Sequence, residues 1–318
     1  MPKLRFFLAT LLAVSGSAMA ADYDAPQLIF SSPDRTVNFV GGIGYSWIRA
    51  DEKVYFEGDR LSHLIWTSQT PVFTAAMSIN PLADLTIDAK TRIGFLSTSR
   101  MEDYDWFGPF FKSFAFDDWT HHSSSEDTNL ERYISGDVTL GYNLDLRSVG
   151  TLNLNSGFKY LNLKFDSSGG ALTYSVEGFR DVAEPSDSRL RSISYEQRIP
   201  GIFVGAKWTN EFERSLVSAR ARVGKTLGAK DKDVHWKRST IFAGDLYSAP
   251  FVELGADLHY KTSDKVSVFA SLDYEKYFEM KGDAYITTMQ TNETELDPGG
   301  ESAAFRGLTI TLGLRGTF

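Results

Sequence analysis

Cysteine is absent from this chain of 318 residues, so no disulfide framework can hold it together. Small exported domains usually depend on such bridges, and a chain without them must draw its stability from a large sheet or core. Proline is scarce, with ten residues, which leaves room for long uninterrupted strands. Beyond the first residues no stretch approaches the ~20 consecutive apolar residues of a membrane-crossing helix. Positive charge is also in deficit, at −8 net. That balance argues against nucleic acid as a partner and favours cationic ones. No helical His-Glu-x-x-His pattern or nucleophile-elbow motif occurs.

The N-terminus carries an export signal. Lys3 and Arg5 precede the apolar run from Phe6 to Val14, and Ala18-Met19-Ala20 supplies a small-x-small cleavage pattern. Residues 1–20 are therefore expected to be a signal peptide, and residues 21–318 a single mature domain. Loss of Lys3 and Arg5 with the leader removes two positive charges and takes −8 to −10.

Aromatics make up 14% of the chain and glycine is common, with 26 residues. The mature sequence alternates as strands do, because successive side chains point to opposite faces. Ile87, Ala89, Ile93 and Phe95 share one parity, against Thr86, Asp88, Lys90 and Arg92 on the other. Residues 130–146 repeat this, with Ile134, Val138, Leu140, Tyr142 and Leu144 opposite Tyr133, Asp137, Thr139, Asn143 and Asp145. Charges of both signs on the second face suit a polar lumen. Similar runs at 37–50, 61–79, 151–166, 190–210, 212–230, 247–261, 266–280 and 305–318 bring the count to ten, an even number as bacterial barrels require. Short connections (80–83, 147–150, 210–211, 262–264) alternate with long ones (51–60, 100–129, 167–189, 231–246, 282–304). The expected fold is all-β, a ten-stranded antiparallel transmembrane β-barrel with its long extracellular loops on one side.

Two of those long segments hold most of the unusual residues. Asp103 and Asp105 are two apart, as are Asp233 and His235, so each pair points to one side of an extended segment. An Asp bonded to His fixes the imidazole tautomer and raises its basicity. Neighbouring carboxylates resist ionising together. Facing each other, the pairs could activate a water for attack on a carbonyl. Spacing alone favours a solvated acidic loop over such a site. Zinc at His121 and His122, a Ser123 nucleophile and a phosphate loop at Gly169-Gly170 each lack the surrounding motif.

At these residues the chain resembles the omptin family of outer-membrane proteases. Asp103-Tyr104-Asp105-Trp106 is similar to the family's Asp-x-Asp-Trp segment, and Asp231-Lys232-Asp233-Val234-His235 to its Asp-x-Asp-x-His. Trp119-Thr120-His121-His122-Ser123 looks like a stretch of its plasminogen-activator-like members. Glu52-Lys53-Val54-Tyr55, Glu177-Gly178-Phe179-Arg180-Asp181 and Tyr195-Glu196-Gln197-Arg198 match in family order. The resemblance implies an endopeptidase that cuts peptides and proteins after Arg or Lys, facing outward from the bacterial outer membrane. It assigns Asp103, Asp105, Asp233 and His235 to catalysis, with a water between Asp103 and His235. Glu52 and Asp231 would hold the basic side chain before the cut, Ser123 would support the site, and Arg198 would contact lipopolysaccharide, on which activity would depend. It implies neither metal nor organic cofactor, and a monomer. Asn162 stands where a second lipid-binding arginine is expected, and His121 replaces an acidic residue that some members carry. Two other classes compete with a protease: a non-catalytic barrel that acts as an adhesin or host-protein binder, and a pore.

Overall fold

A computed structural model describes residues 37–263 and 266–317. The expected leader at residues 1–20 and the terminal Phe318 lie outside the described residues.

Every long element is a strand. Ten barrel strands follow one another along the chain: β1 (Val37–Phe56), β2 (Asp59–Leu82), β3 in two segments (Leu85–Gly94 and Thr98–Asp105), β4 (His121–Asp145) and β5 (Thr151–Tyr174). They continue as β6 (Val182–Glu211), β7 in two segments (Ser215–Thr226 and Lys230–His235), β8 in two segments (Thr240–Leu246 and Pro250–Lys261), β9 (Val266–Thr288) and β10 (Glu293–Thr317). Each pairs antiparallel with its neighbours, and β10 returns to β1 from Asn38↔Thr317 to Val54↔Glu301. Closure removes both sheet edges, so every ladder is satisfied within the ring.

The alternation read from the sequence is the alternation observed. Ile87, Ile93, Val138, Leu140 and Tyr142 are exposed on the outer wall, whereas Arg92, Tyr133 and Thr139 are buried inside. Phe39, Ile43, Tyr45 and Trp47 continue the outer apolar belt on β1. Beyond Trp47 the same parity turns polar, with Arg49, Asp51 and Lys53.

Inside the belt the lumen is packed with paired charge. Asp273 accepts from Lys90 at 2.8 Å and Arg92 at 2.7 Å, and also pairs with Arg220. Lys159 bridges Glu253 and Glu275, while Arg222 reaches Asp137 at 3.0 Å. A buried charge is tolerated only when paired. This layer occupies the lumen that a pore would need open. Asp145, expected on the same interior face, is instead exposed at the short-turn end, where it accepts the Arg147 N–H at 2.8 Å.

The long connections are shorter than the sequence suggested. Strand pairing persists far beyond the belt, and β6 alone runs for 30 residues. Most of residues 51–60, 167–189, 231–246 and 282–304 is therefore hairpin strand, with turns of a few residues at the tips. Above a membrane both faces of a strand can be polar, so the alternation that marks a strand inside the bilayer vanishes there. Among the described residues, 106–120 alone keep a long irregular path, with one turn of 3-10 helix at Phe116–Asp118.

Candidate active site

The candidate catalytic and substrate-binding residues sit on these strand extensions, not on loops, and face the interior. Asp103 and Asp105 lie on the second segment of β3, at 4% and 7% exposure; Asp231, Asp233 and His235 lie on the second segment of β7. Glu52 comes from β1 and is 1% exposed. Strand register brings β3 beside β2 and β4, with Asp103 opposite Leu64 and Ser123. β7 is held by β6 and β8, with Asp233 opposite Tyr195 and Phe242. The two acidic pairs thus line a groove across the barrel mouth from one another.

Within the groove, His235 Nε2 lies 2.6 Å from Asp233 Oδ2. Burial disfavours the imidazolium, but the Asp233 charge and hydrogen bond, with Asp103 adding to them, outweigh it and raise His235 above its ordinary value. Asp103 is raised by burial, which the charges of His235 and Arg238 oppose. Asp105 is pushed well above the carboxylate range by burial and then by Asp103. Burial and mutual repulsion thus disfavour full ionisation of the dyad, and His235 and Arg238 oppose them. Asp103 Oδ1 also accepts the Ser62 hydroxyl at 3.1 Å. Ser123 is Asp103's ladder neighbour on the same face, so both serines border that carboxylate.

The second part of the groove is a deeper acidic pocket. Tyr195 donates to Asp231 Oδ2 at 3.2 Å and accepts from Gln197 at 2.7 Å. Asp231 Oδ1 and Glu52 Oε2 are buried without a hydrogen-bond partner. Burial, with help from Asp233, raises Asp231 to about 7. Burial and the charges of Asp233, Glu301 and Asp231 push Glu52 well above the carboxylate range. The floor beneath is aromatic: Trp66 stacks on Phe165 at 5.3 Å and on Tyr195 at 5.7 Å, all three fully buried. Such a floor keeps the local dielectric low and strengthens every charge above it.

Several sequence motifs prove to be scaffolding for this groove. Trp106 donates to the Ala115 carbonyl at 2.9 Å and carries the Arg60 guanidinium 3.8 Å above its ring. Thr120 returns its N–H to the Asp105 carbonyl at 2.7 Å, which closes the 106–120 path behind the dyad. Arg180 donates to the Asp117 and Trp119 carbonyls and lies 3.4 Å over the Trp119 ring. Asp181 accepts three backbone N–H groups, from Val176, Glu177 and Gly178. His121 stacks on Phe107 and His122 on Tyr104, so the two adjacent histidines point apart. Among the described residues no group of three His, Cys, Asp or Glu side chains could hold a metal ion.

Arg198 lies on the outer wall, away from the groove, where it pairs with Glu196 at 2.8 Å; Arg132 reaches the same carboxylate at 3.0 Å. Asn162 is its ladder partner. Sequence reasoning missed Ser62, Arg238 and Glu301. Glu301 was within reach of a parity argument, since it shares its face with the buried Ala303 and Phe305. Ser62 and Arg238 reach the groove through hairpin geometry that no local pattern encodes.

The whole described barrel matches the Omptin family model, over residues 34–318. The chain is 25% identical over 323 residues to the plasminogen activator of Yersinia pestis, which covers 98% of both proteins. Its architecture is similar to that of the outer membrane protease OmpT from Escherichia coli, with a TM-score of 0.81 at 20% identity, over 91% of this chain and 98% of that one. With a ten-stranded barrel, a family match along nearly its entire length and a full-length relative, the chain belongs to the omptin family of outer-membrane proteins.

Proposed function

We propose that this protein is an outer-membrane endopeptidase that cuts peptides and proteins after arginine or lysine, from a groove that faces outside the cell. The observation that carries the reading is the buried Asp233–His235 couple opposite the Asp103–Asp105 dyad. A water between Asp103 and His235 gives up its proton to the imidazole as it attacks the scissile carbonyl. Asp233 holds the imidazole tautomer and stabilises the imidazolium that forms. Asp105, whose ionisation burial and Asp103 disfavour, keeps a second negative charge away from the developing oxyanion.

Glu52 and Asp231 receive the basic side chain before the cut. Their orphaned, buried oxygens lack a donor, and an arginine or lysine supplies both charge and N–H groups. On the outer wall, Arg198 and Arg132 lie beyond the apolar belt, where phosphates of lipopolysaccharide would meet them. We expect residues 1–20 to be removed as a signal peptide and the mature domain to act as a monomer.

Mass-spectrometric mapping of peptide fragments released by the purified protein tests this reading. Cuts confined to bonds after Arg or Lys, and more of them with added lipopolysaccharide, are expected. Binding of host proteins without any cut would favour the adhesin reading.

A further inference from the structure

Glu301 is a buried acid of the barrel mouth that the site described above does not use. It is 1% exposed, and both carboxylate oxygens are buried without a hydrogen-bond partner. It projects inward from β10, where it pairs with Val54 on β1 and Gly282 on β9. Gly244 on β8 shows which space it enters: a Cβ there would collide with Asp231 Oδ1 and come within 2.8 Å of Glu301 Cγ. Glu301 and Asp231 therefore converge over Gly244 from opposite sides, and Glu52 joins them from β1. Burial, then the charges of Asp231 and Asp233, hold Glu301 well above the carboxylate range.

We propose that Glu301 is a third carboxylate of the pocket that takes the basic side chain, and that its presence selects arginine over lysine before the cut. The proposal rests on the protease reading above. Its argument is a count of donors. Four buried acceptors lack a donor: Glu52 Oε2, Asp231 Oδ1, and Glu301 Oε1 and Oε2. A lysine ammonium has three N–H donors on one compact atom, whereas a planar guanidinium spreads five along its edges. The carboxylates come from three strands, β1, β7 and β10, and one compact ammonium is less able to serve all of them together. An extended planar cation can, and a buried acceptor left without a donor weighs against the ligand that leaves it so.

Two peptides that differ only in Arg or Lys before the cut bond test this, with kcat/KM compared in wild type, Glu301→Gln and Glu301→Asp. Folding of each variant is followed by the heat-dependent gel shift typical of barrels. Wild type should prefer Arg, and Glu301→Gln should lower the Arg-to-Lys ratio by about tenfold, the scale of one charge-assisted hydrogen bond. Glu301→Asp, which keeps the charge but shortens its reach, should give a smaller drop and serves alone if the Gln variant does not fold. Cleavage after both residues with a ratio untouched by either variant overturns the role of Glu301 and leaves the protease reading standing. Cleavage after neither residue in wild type overturns both.

Discussion

Asp233 and His235 stand two residues apart on one strand, point to the same side, and join through a 2.6 Å contact between Oδ2 and Nε2. The strand period makes this pairing local: β7 needs only to be extended for the two side chains to meet. What the fold adds is burial and an opposing acid. Asp233 and Asp103 both favour the imidazolium, against the burial that disfavours it.

The sign of that balance fixes a pH dependence. A base must be neutral to take a proton, so activity is absent while His235 is protonated and rises as it deprotonates. With His235 raised, the ascending limb of kcat/KM lies above the ordinary histidine value of about 6.5. In Asp233→Asn the raising charge is gone and burial persists, so the limb moves to lower pH. Initial rates across pH check this; a limb that stays put or moves upward contradicts it.

Gly244 predicts a loss confined to substrate recognition. Any side chain there displaces Asp231, whose carboxylate also accepts the Tyr195 hydroxyl. Gly244→Ala should raise KM for a basic peptide by about tenfold, as one charge-assisted contact is lost, with the folded gel band retained. An unchanged KM would mean that Asp231 does not touch the substrate.

The lumen predicts a stability effect far from the groove. Asp273 binds Lys90, Arg92 and Arg220 at once. Asp273→Asn leaves three cations without their shared anion, at a cost of about 3–5 kcal/mol. The variant should lose its folded gel band at lower temperature or urea than wild type, and equal resistance would refute the assigned role.

The sequence carried the barrel in its bilayer portion, because lipid outside and paired charge inside force a period-2 pattern on segments such as Thr86 to Arg92. It did not carry the hairpin extensions. Residues 167–189 read as loop because polar residues occupy both faces, although 167–174 and 182–189 are strand. The candidate pairs were legible for a related reason: Asp103 with Asp105, and Asp233 with His235, keep the strand spacing even there. Glu301 has no paired neighbour of that kind, and its partners Asp231 and Glu52 are brought to it only by barrel closure. Asp145 misled because parity alone does not give depth along the barrel.

The central claim is that Asp103 and His235 share the attacking water. Single-residue variants Asp103→Ala and His235→Ala, purified, checked for the folded gel band and assayed on one Arg-containing peptide, test it most directly. Each should lower kcat by about 10²–10⁴, the usual contribution of a general base, with a much smaller change in KM. Cleavage at wild-type kcat in both variants would contradict the account.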